Sequence, residues 1–204
     1  MQTGINSFFN IDERLLKLNG DIIEKCSDRF KEIDSVTEYN QLKVLSAFIK
    51  NGVSESAMAG STGYGYDDRG REILEKVMAN ALGAEDALMR HNFVSGTHTL
   101  TVALFGILRP GDRVLCLTGR PYDTITGVFG IDEKTDGSLA DFGVQYAQVD
   151  LKADGTPDIA AIKAELKAHK YKMAYIQRSR GYSTRPSLTV DGIEVLCKGV
   201  REVS

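Results

Sequence analysis

From residue 86 onward the chain alternates short apolar runs with stretches of helical periodicity, and this alternation restricts the fold more than any other feature. Residues 86–90, 113–117, 144–149 and 172–177 read as strands, and 97–108, 121–129, 157–169 and 188–201 read as helices. Strands that alternate with helices imply crossover units around a mostly parallel sheet with helices on its faces. The pattern therefore predicts an α/β domain. Upstream, Ile11, Leu15, Leu18, Ile22, Cys26, Phe30 and Ile33 recur every three or four residues, and Leu42, Leu45 and Ile49 repeat the spacing. That predicts two amphipathic helices, the second ending near Asn51–Gly52. They precede any strand and form an N-terminal helical arm, residues 1–55, suited to packing on a neighbouring body such as a second subunit. Residues 56–204 make up the α/β domain. It opens on a helix capped by Asp67 or Asp68, with Ile73, Leu74, Val77, Met78, Ala81 and Leu82 as its buried face and Gly83 as its stop.

Several function classes are disfavoured by composition. A net charge of −3 over 204 residues gives no electrostatic reason for a nucleic-acid or anionic-membrane partner. No apolar run approaches the ~20 residues that span a bilayer. The N-terminus lacks the basic start and apolar core of a signal peptide. Cys26, Cys116 and Cys197 are isolated and odd in number, as expected of reduced thiols in a cytoplasmic protein. Their spacing from the three histidines offers no metal site.

Open α/β sheets bind ligands at the carboxyl ends of their strands, and three polar, glycine-containing loops fall there. In the first, Ser95-Gly96-Thr97 precede a helix. Unpaired amides, the positive end of the helix dipole and flanking hydroxyls make such a junction suited to a phosphate. The same residues are also ordinary helix caps. In the second, Gly119-Arg120-Pro121-Tyr122-Asp123-Thr124, Tyr122 can lay its ring over a planar ligand. The third, Gln177-Arg178-Ser179-Arg180-Gly181-Tyr182-Ser183, carries arginines suited to a carboxylate. Another glycine-rich stretch, residues 60–70, lacks the Gly-Lys-Ser/Thr of a Walker loop and follows no strand. His98 can contact a ring but reads as a bystander in a first helical turn; His91 and His169 read as structural. The final helix leads into no further strand, so the chain reads as a piece of something longer. A ligand meeting all three loops is anionic at one end, flat in the middle and near a carboxylate, features of pyridoxal phosphate carrying an amino acid.

The strings Gly63-Tyr64-Gly65-Tyr66-Asp67-Asp68-Arg69-Gly70-Arg71, Leu82-Gly83-Ala84-Glu85-Asp86-Ala87-Leu88-Met89-Arg90, Ser95-Gly96-Thr97-His98 and Gln177-Arg178-Ser179-Arg180-Gly181-Tyr182-Ser183-Thr184-Arg185-Pro186-Ser187-Leu188 together resemble one family. It is the methionine gamma-lyase-like family, also called aluminium-resistance proteins, fold-type-I pyridoxal-phosphate enzymes related to the cystathionine lyases. The resemblance runs from about residue 10 to the end and implies part of a fold-type-I large domain, with members about twice this length. It also implies roles. Gly96 and Thr97 offer amides to the cofactor phosphate with Ser95 beside them. Tyr122 stacks on the pyridine ring and helps move protons. Tyr66 reaches the phosphate of a neighbouring subunit's cofactor, which makes the protein a homodimer or homotetramer with active sites at the subunit interface. Arg178 or Arg180 faces the substrate carboxylate. Where the related lyases carry an arginine two residues after that tyrosine, this chain has Asp68, with Arg69 next.

In the family, the Schiff-base lysine and the aspartate that pairs with the pyridine nitrogen lie beyond these residues. Lys163, Lys167 and Lys198 fall in helices and Lys172 opens a strand at the wrong end of the sheet, so none substitutes. The leading expectation is the N-terminal portion of a carbon–sulfur lyase acting on a sulfur amino acid, inactive by itself. The alternatives are a non-catalytic fragment that serves as a subunit-interaction piece and a small phosphate-binding domain complete in itself.

Overall fold

A computed structural model describes residues 8–62, 64, 68–133 and 135–203. They fall into two compact units, Met1–His91 and Asn92–Ser204.

The first unit is built on α1, a single helix over Glu13–Lys50 where the periodicity predicted two. Asp12 starts it by accepting the Arg14 amide at 2.8 Å. The stretch 34–41 is polar enough to suggest a break, yet the helix continues through it. Ser35, Thr37 and Asn40 turn their side chains back onto the carbonyls of Glu32, Ile33 and Val36 at 2.8–2.9 Å, so their local bonding is satisfied within the helix. Asn51 ends it, donating its own amide and its Nδ2 to the Ala47 carbonyl. After a single 3-10 turn at Glu55–Ala57 comes α2, Arg69–Leu82, capped by Asp68 and stopped by Gly83 in the left-handed region at φ 69°. Ala47 of α1 packs with Val77 and Ala81 of α2, against Val53 and Ile73. Ala47 is the only buried residue of α1. Leu15, Leu18, Ile22, Phe30, Ile33 and Leu42 stay exposed along the rest of it.

No strand forms at 86–90. The segment has no regular secondary structure; the Met89 amide donates to Glu75 Oε1 at 3.0 Å and Arg90 pairs with the same carboxylate, so a side chain of α2 takes up bonding that a neighbouring strand would supply.

The second unit is the α/β layer. Its sheet has the order β2-β1-β3, with β1 at Arg113–Cys116, β2 at Gln145–Gln148 and β3 at Met173–Tyr175, all parallel. Central β1 and the residue after it, Val114-Leu115-Cys116-Leu117, are 0% exposed, the mark of a strand covered on both faces. Alternation then divides the core. On one face Val114 meets Leu104 and Leu108 of α3 (Gly96–Ile107 and its cap) and Ile125 and Phe129 of α4 (Asp123–Phe129). On the other, Leu115 and Leu117 meet Ile162 of α5 (Ile159–Ala168) and Leu196 of α6 (Val190–Arg201). Chain order explains the division. The step β1 to β2 runs one way along the sheet and β2 to β3 runs back past β1, so two crossovers of one hand lie on opposite faces. Burial of each such aliphatic side chain contributes about 1.5–3 kcal/mol. Among the described residues no helix is long and apolar enough to cross a membrane, and no cluster of side chains could hold a metal ion.

Gly130 closes α4 in the left-handed region at φ 74°, and a Cβ there would lie 2.7 Å from Ser138 Oγ and 2.8 Å from Ala140 Cβ. Gly130→Ala is therefore expected to destabilise the protein by about 1–3 kcal/mol, read as a lower urea midpoint at unchanged slope. An unaltered midpoint would show that this turn relaxes freely.

Candidate functional site

Because β1 and β3 are hydrogen-bonded neighbours in parallel register, the segments that leave their carboxyl ends emerge side by side. The ladder continues past the strands. Leu117 donates to the Tyr175 carbonyl at 2.9 Å, and the Gln177 amide donates to Thr118 Oγ1 at 3.0 Å. Between the two segments opens a cleft of about 400 Å³ walled by Gly119, Tyr122, Asp123, Arg180, Tyr182 and Arg185, among others. Two of the three predicted loops thus share one cavity.

Tyr122 sits at the N-cap of α4 with extended backbone, φ −55° and ψ 144°, as suits a position behind Pro121. Its ring lies 6.1 Å from that of Tyr182 at an interplanar angle of 32°. This approach requires Gly181, which adopts φ 56° and whose missing Cβ would stand 2.6 Å from Tyr122 Cδ2. A hydrogen bond with the Tyr182 hydroxyl, helped by the nearby charge of Asp123, pushes the Tyr122 phenol above the usual tyrosine range. At neutral pH it is a proton donor.

The remaining loop, Ser95-Gly96-Thr97, forms the start of α3. Ser95 caps the helix, its Oγ accepting the His98 amide at 3.1 Å. That leaves the amides of Gly96 and Thr97 without an acceptor among the described residues, and the space where Gly96 would carry a Cβ is open. These residues do not line the cleft. Thr97 reaches toward it, because its Oγ1 donates to Thr124 Oγ1 at 2.9 Å, two residues beyond Tyr122. An oxyanion at the α3 terminus and a ring against Tyr122 therefore fall on one hydrogen-bonded frame, and the donor set suits a phosphate: main-chain amides and hydroxyls at a helix start.

The arginines separate. Arg178 Nε donates to the Leu188 carbonyl at 3.2 Å, whereas Arg180 lies on the cleft wall with one long contact, 3.5 Å, to the Arg185 carbonyl. Arg120, also on the wall, pairs with Asp132. Two features escaped the sequence reading. Thr124 is the link between two loops, which no spacing reveals. Arg185 binds three carbonyls of its own segment, and only its place before Pro186 hinted at a fixed, extended conformation. Among the described residues no lysine lines the cleft. Lys198 pairs with Glu194 at 2.7 Å, Lys163 pairs with Glu202, and Lys172 donates its amide to the Arg113 carbonyl at the opening end of the sheet. His98 holds the entry to α3, its Nδ1 facing the Val94 amide at 3.4 Å. Burial pushes the Cys116 thiol up, so it remains neutral in the core.

In the first unit, Tyr66 lies outside the described residues. Asp68 is fully engaged there: the Arg71 amide and Ser61 hydroxyl bond it, its ion pair with Arg71 measures 2.9 Å, and the carboxyl is held below its usual range. Arg69 is exposed at the start of α2.

A sequence profile of the methionine gamma-lyase family matches residues 15–204. The crystal structure of a proposed cystathionine beta-lyase involved in aluminium resistance from Clostridium acetobutylicum superposes with a TM-score of 0.89 at 44% identity, over 100% of this chain and 48% of that one. The uncharacterized protein YnbB of Bacillus subtilis is 43% identical over 175 residues, 85% of this chain and 41% of YnbB. The pyridoxal-5'-phosphate-dependent protein YhfS from Escherichia coli shares the fold at 19% identity and a TM-score of 0.58, over 79% of this chain and 41% of that chain. The chain spans about half the length of these relatives.

If Tyr182 raises the Tyr122 phenol, Tyr182→Phe should return it toward the ordinary tyrosine value. The measurement is an ultraviolet tyrosinate titration with Tyr122→Phe as the blank; an identical curve for Tyr182→Phe would remove Tyr182 as the cause.

Proposed function

The chain belongs to the methionine gamma-lyase family, and on that footing we propose that it is the N-terminal portion of a pyridoxal-phosphate-dependent carbon–sulfur lyase acting on a sulfur-containing amino acid. The observation that carries this reading is the bond between Thr97 and Thr124, which ties a helix start with two free amides to the element that presents Tyr122. The amides of Gly96 and Thr97, with Ser95, would hold the cofactor phosphate. The ring of Tyr122 would pack on the pyridine. What the cofactor supplies when bound is an electron sink beside the substrate α-carbon. The neutral phenol of Tyr122 holds a proton at the cleft wall, where it can be delivered to a leaving sulfur. Arg180 is the better candidate for the substrate carboxylate, since Arg178 is committed to Leu188.

With no lysine among the described residues of the cleft wall, these residues would bind without turning over. The full-length protein would be a cytoplasmic homodimer or homotetramer, Tyr66 serving the neighbouring subunit's phosphate. The exposed apolar stripe of α1 supports that assembly. It equally supports the second reading, a non-catalytic piece whose business is subunit contact.

The test is to titrate the purified chain with pyridoxal phosphate, reduce with borohydride and map the peptides by mass spectrometry. Reversible binding is expected, weakened about tenfold by Thr97→Val and again by Tyr122→Ala, with no lysine labelled stoichiometrically. Absence of binding would sink the cofactor reading, and one fully labelled lysine would show that the chain carries its own anchor.

A further inference from the structure

The segment that follows β3, residues 177–186, leaves the sheet, turns at Gly181–Tyr182 and comes back. Among the described residues its only backbone–backbone bond beyond the sheet is Ser183 to the Arg180 carbonyl, 3.1 Å, which closes the turn and not the loop. Main-chain bonding alone therefore does not fix where the tip lies. Side chains supply the rest: Arg180 Nη1 makes a long 3.5 Å contact with the Arg185 carbonyl, Arg178 Nε holds the Leu188 carbonyl, and Arg185 alone of these three binds three carbonyls. Arg185 sends Nη2 to the Gln177 carbonyl at 3.2 Å and the Ser179 carbonyl at 3.0 Å, while Nη1 reaches the Pro186 carbonyl at 3.0 Å. Carbonyls two residues apart on extended chain point the same way, so one guanidinium nitrogen can serve both through its two hydrogens. Pro186 holds Arg185 itself extended and preset for the reach. Gln177 is in turn fixed to the core side of the cleft by Thr118 at its amide and by the Tyr175 hydroxyl, 3.0 Å from its Oε1.

We propose that Arg185 is a positioning residue for the cleft. Its guanidinium clasps the neck of the 177–185 loop and so holds the Gly181–Tyr182 tip against Tyr122, which faces the ligand on the reading given above. The geometry makes the tip dependent on such a clasp. Tyr182 is 89% exposed and its ring meets that of Tyr122, while Gly181, in the left-handed region at φ 56°, brings no side chain of its own to anchor the turn. Lysine is no substitute. Its ammonium lacks the planar fork that spans two carbonyls while bonding a third. Arg185 also has no acidic partner among the ion pairs of the described residues, so its positive charge stays on the cleft wall.

The experiment is a tyrosinate titration of Arg185→Ala and Arg185→Lys, with Tyr122→Phe identifying the Tyr122 signal, alongside pyridoxal-phosphate affinity for each. Release of the tip separates Tyr182 from Tyr122, so in both variants the Tyr122 ionisation moves down toward that of an ordinary tyrosine. Cofactor affinity falls about tenfold in Arg185→Ala, and added guanidinium ion restores both readouts. A merely structural arginine would lower thermal stability without moving the Tyr122 signal or answering to guanidinium. An unshifted Tyr122 titration in a folded Arg185→Ala overturns the proposal. Should that variant fail to fold, Arg185→Lys is read the same way, and wild-type behaviour there overturns it. If the wild type binds no pyridoxal phosphate while both variants still shift Tyr122, the cofactor reading falls and the clasp stands.

Discussion

Everything in the second unit depends on one strand being dry on both sides. Val114 through Leu117 have no exposed surface, which is possible only if helices cover both faces of β1 and strands flank both of its edges. Those requirements settle the connections. The crossovers must reverse direction at β1, and the reversal brings the exits of β1 and β3 together. The cleft is thus a by-product of burying four consecutive apolar residues. Thr118, the next residue and itself buried, is where the core turns polar. Its hydroxyl takes the Gln177 amide, one residue beyond the bond from Leu117 to the Tyr175 carbonyl, and so extends the ladder from core to cleft.

The cleft's chemistry comes from chain ends of helices and from loops. Outside its lining, the start of α3 offers two amides with no acceptor among the described residues; the start of α4 offers an aromatic wall, and a threonine pair links the two. Arg178, Arg180 and Arg185 lie within eight residues yet serve three ends: one bonds the Leu188 carbonyl, one faces the cavity and one shapes the loop. Charge is the same in all three; the direction in which the backbone presents each side chain differs.

That difference marks how far sequence alone reaches. Periodicity sufficed for the α/β class, for β1, β2 and β3 and for every helix after residue 95, because burial on a regular element leaves a regular imprint. It failed at 86–90, where an apolar string forms no strand and the Met89 amide bonds to the Glu75 carboxylate, a partner fourteen residues away. It also failed at 34–41, where polar residues usually found in turns bonded back onto their own helix. The loops bearing Ser95, Tyr122 and Arg180 were legible as polar, glycine-containing stretches at strand exits. That Tyr122 and Arg180 share a cavity, and that Ser95 joins them only through Thr97 and Thr124, required coordinates.

The long first helix has a consequence for handling the protein. At 1.5 Å per residue it is a rod of about 57 Å, and it sinks a single alanine into its own unit. Leucines, isoleucines and phenylalanines along the remaining length stay wet, an arrangement that costs free energy for as long as the rod stands alone. If copies of the chain cover that stripe, heat-denaturation midpoints climb with protein concentration, and a stability quoted without its concentration describes the solution as much as the fold.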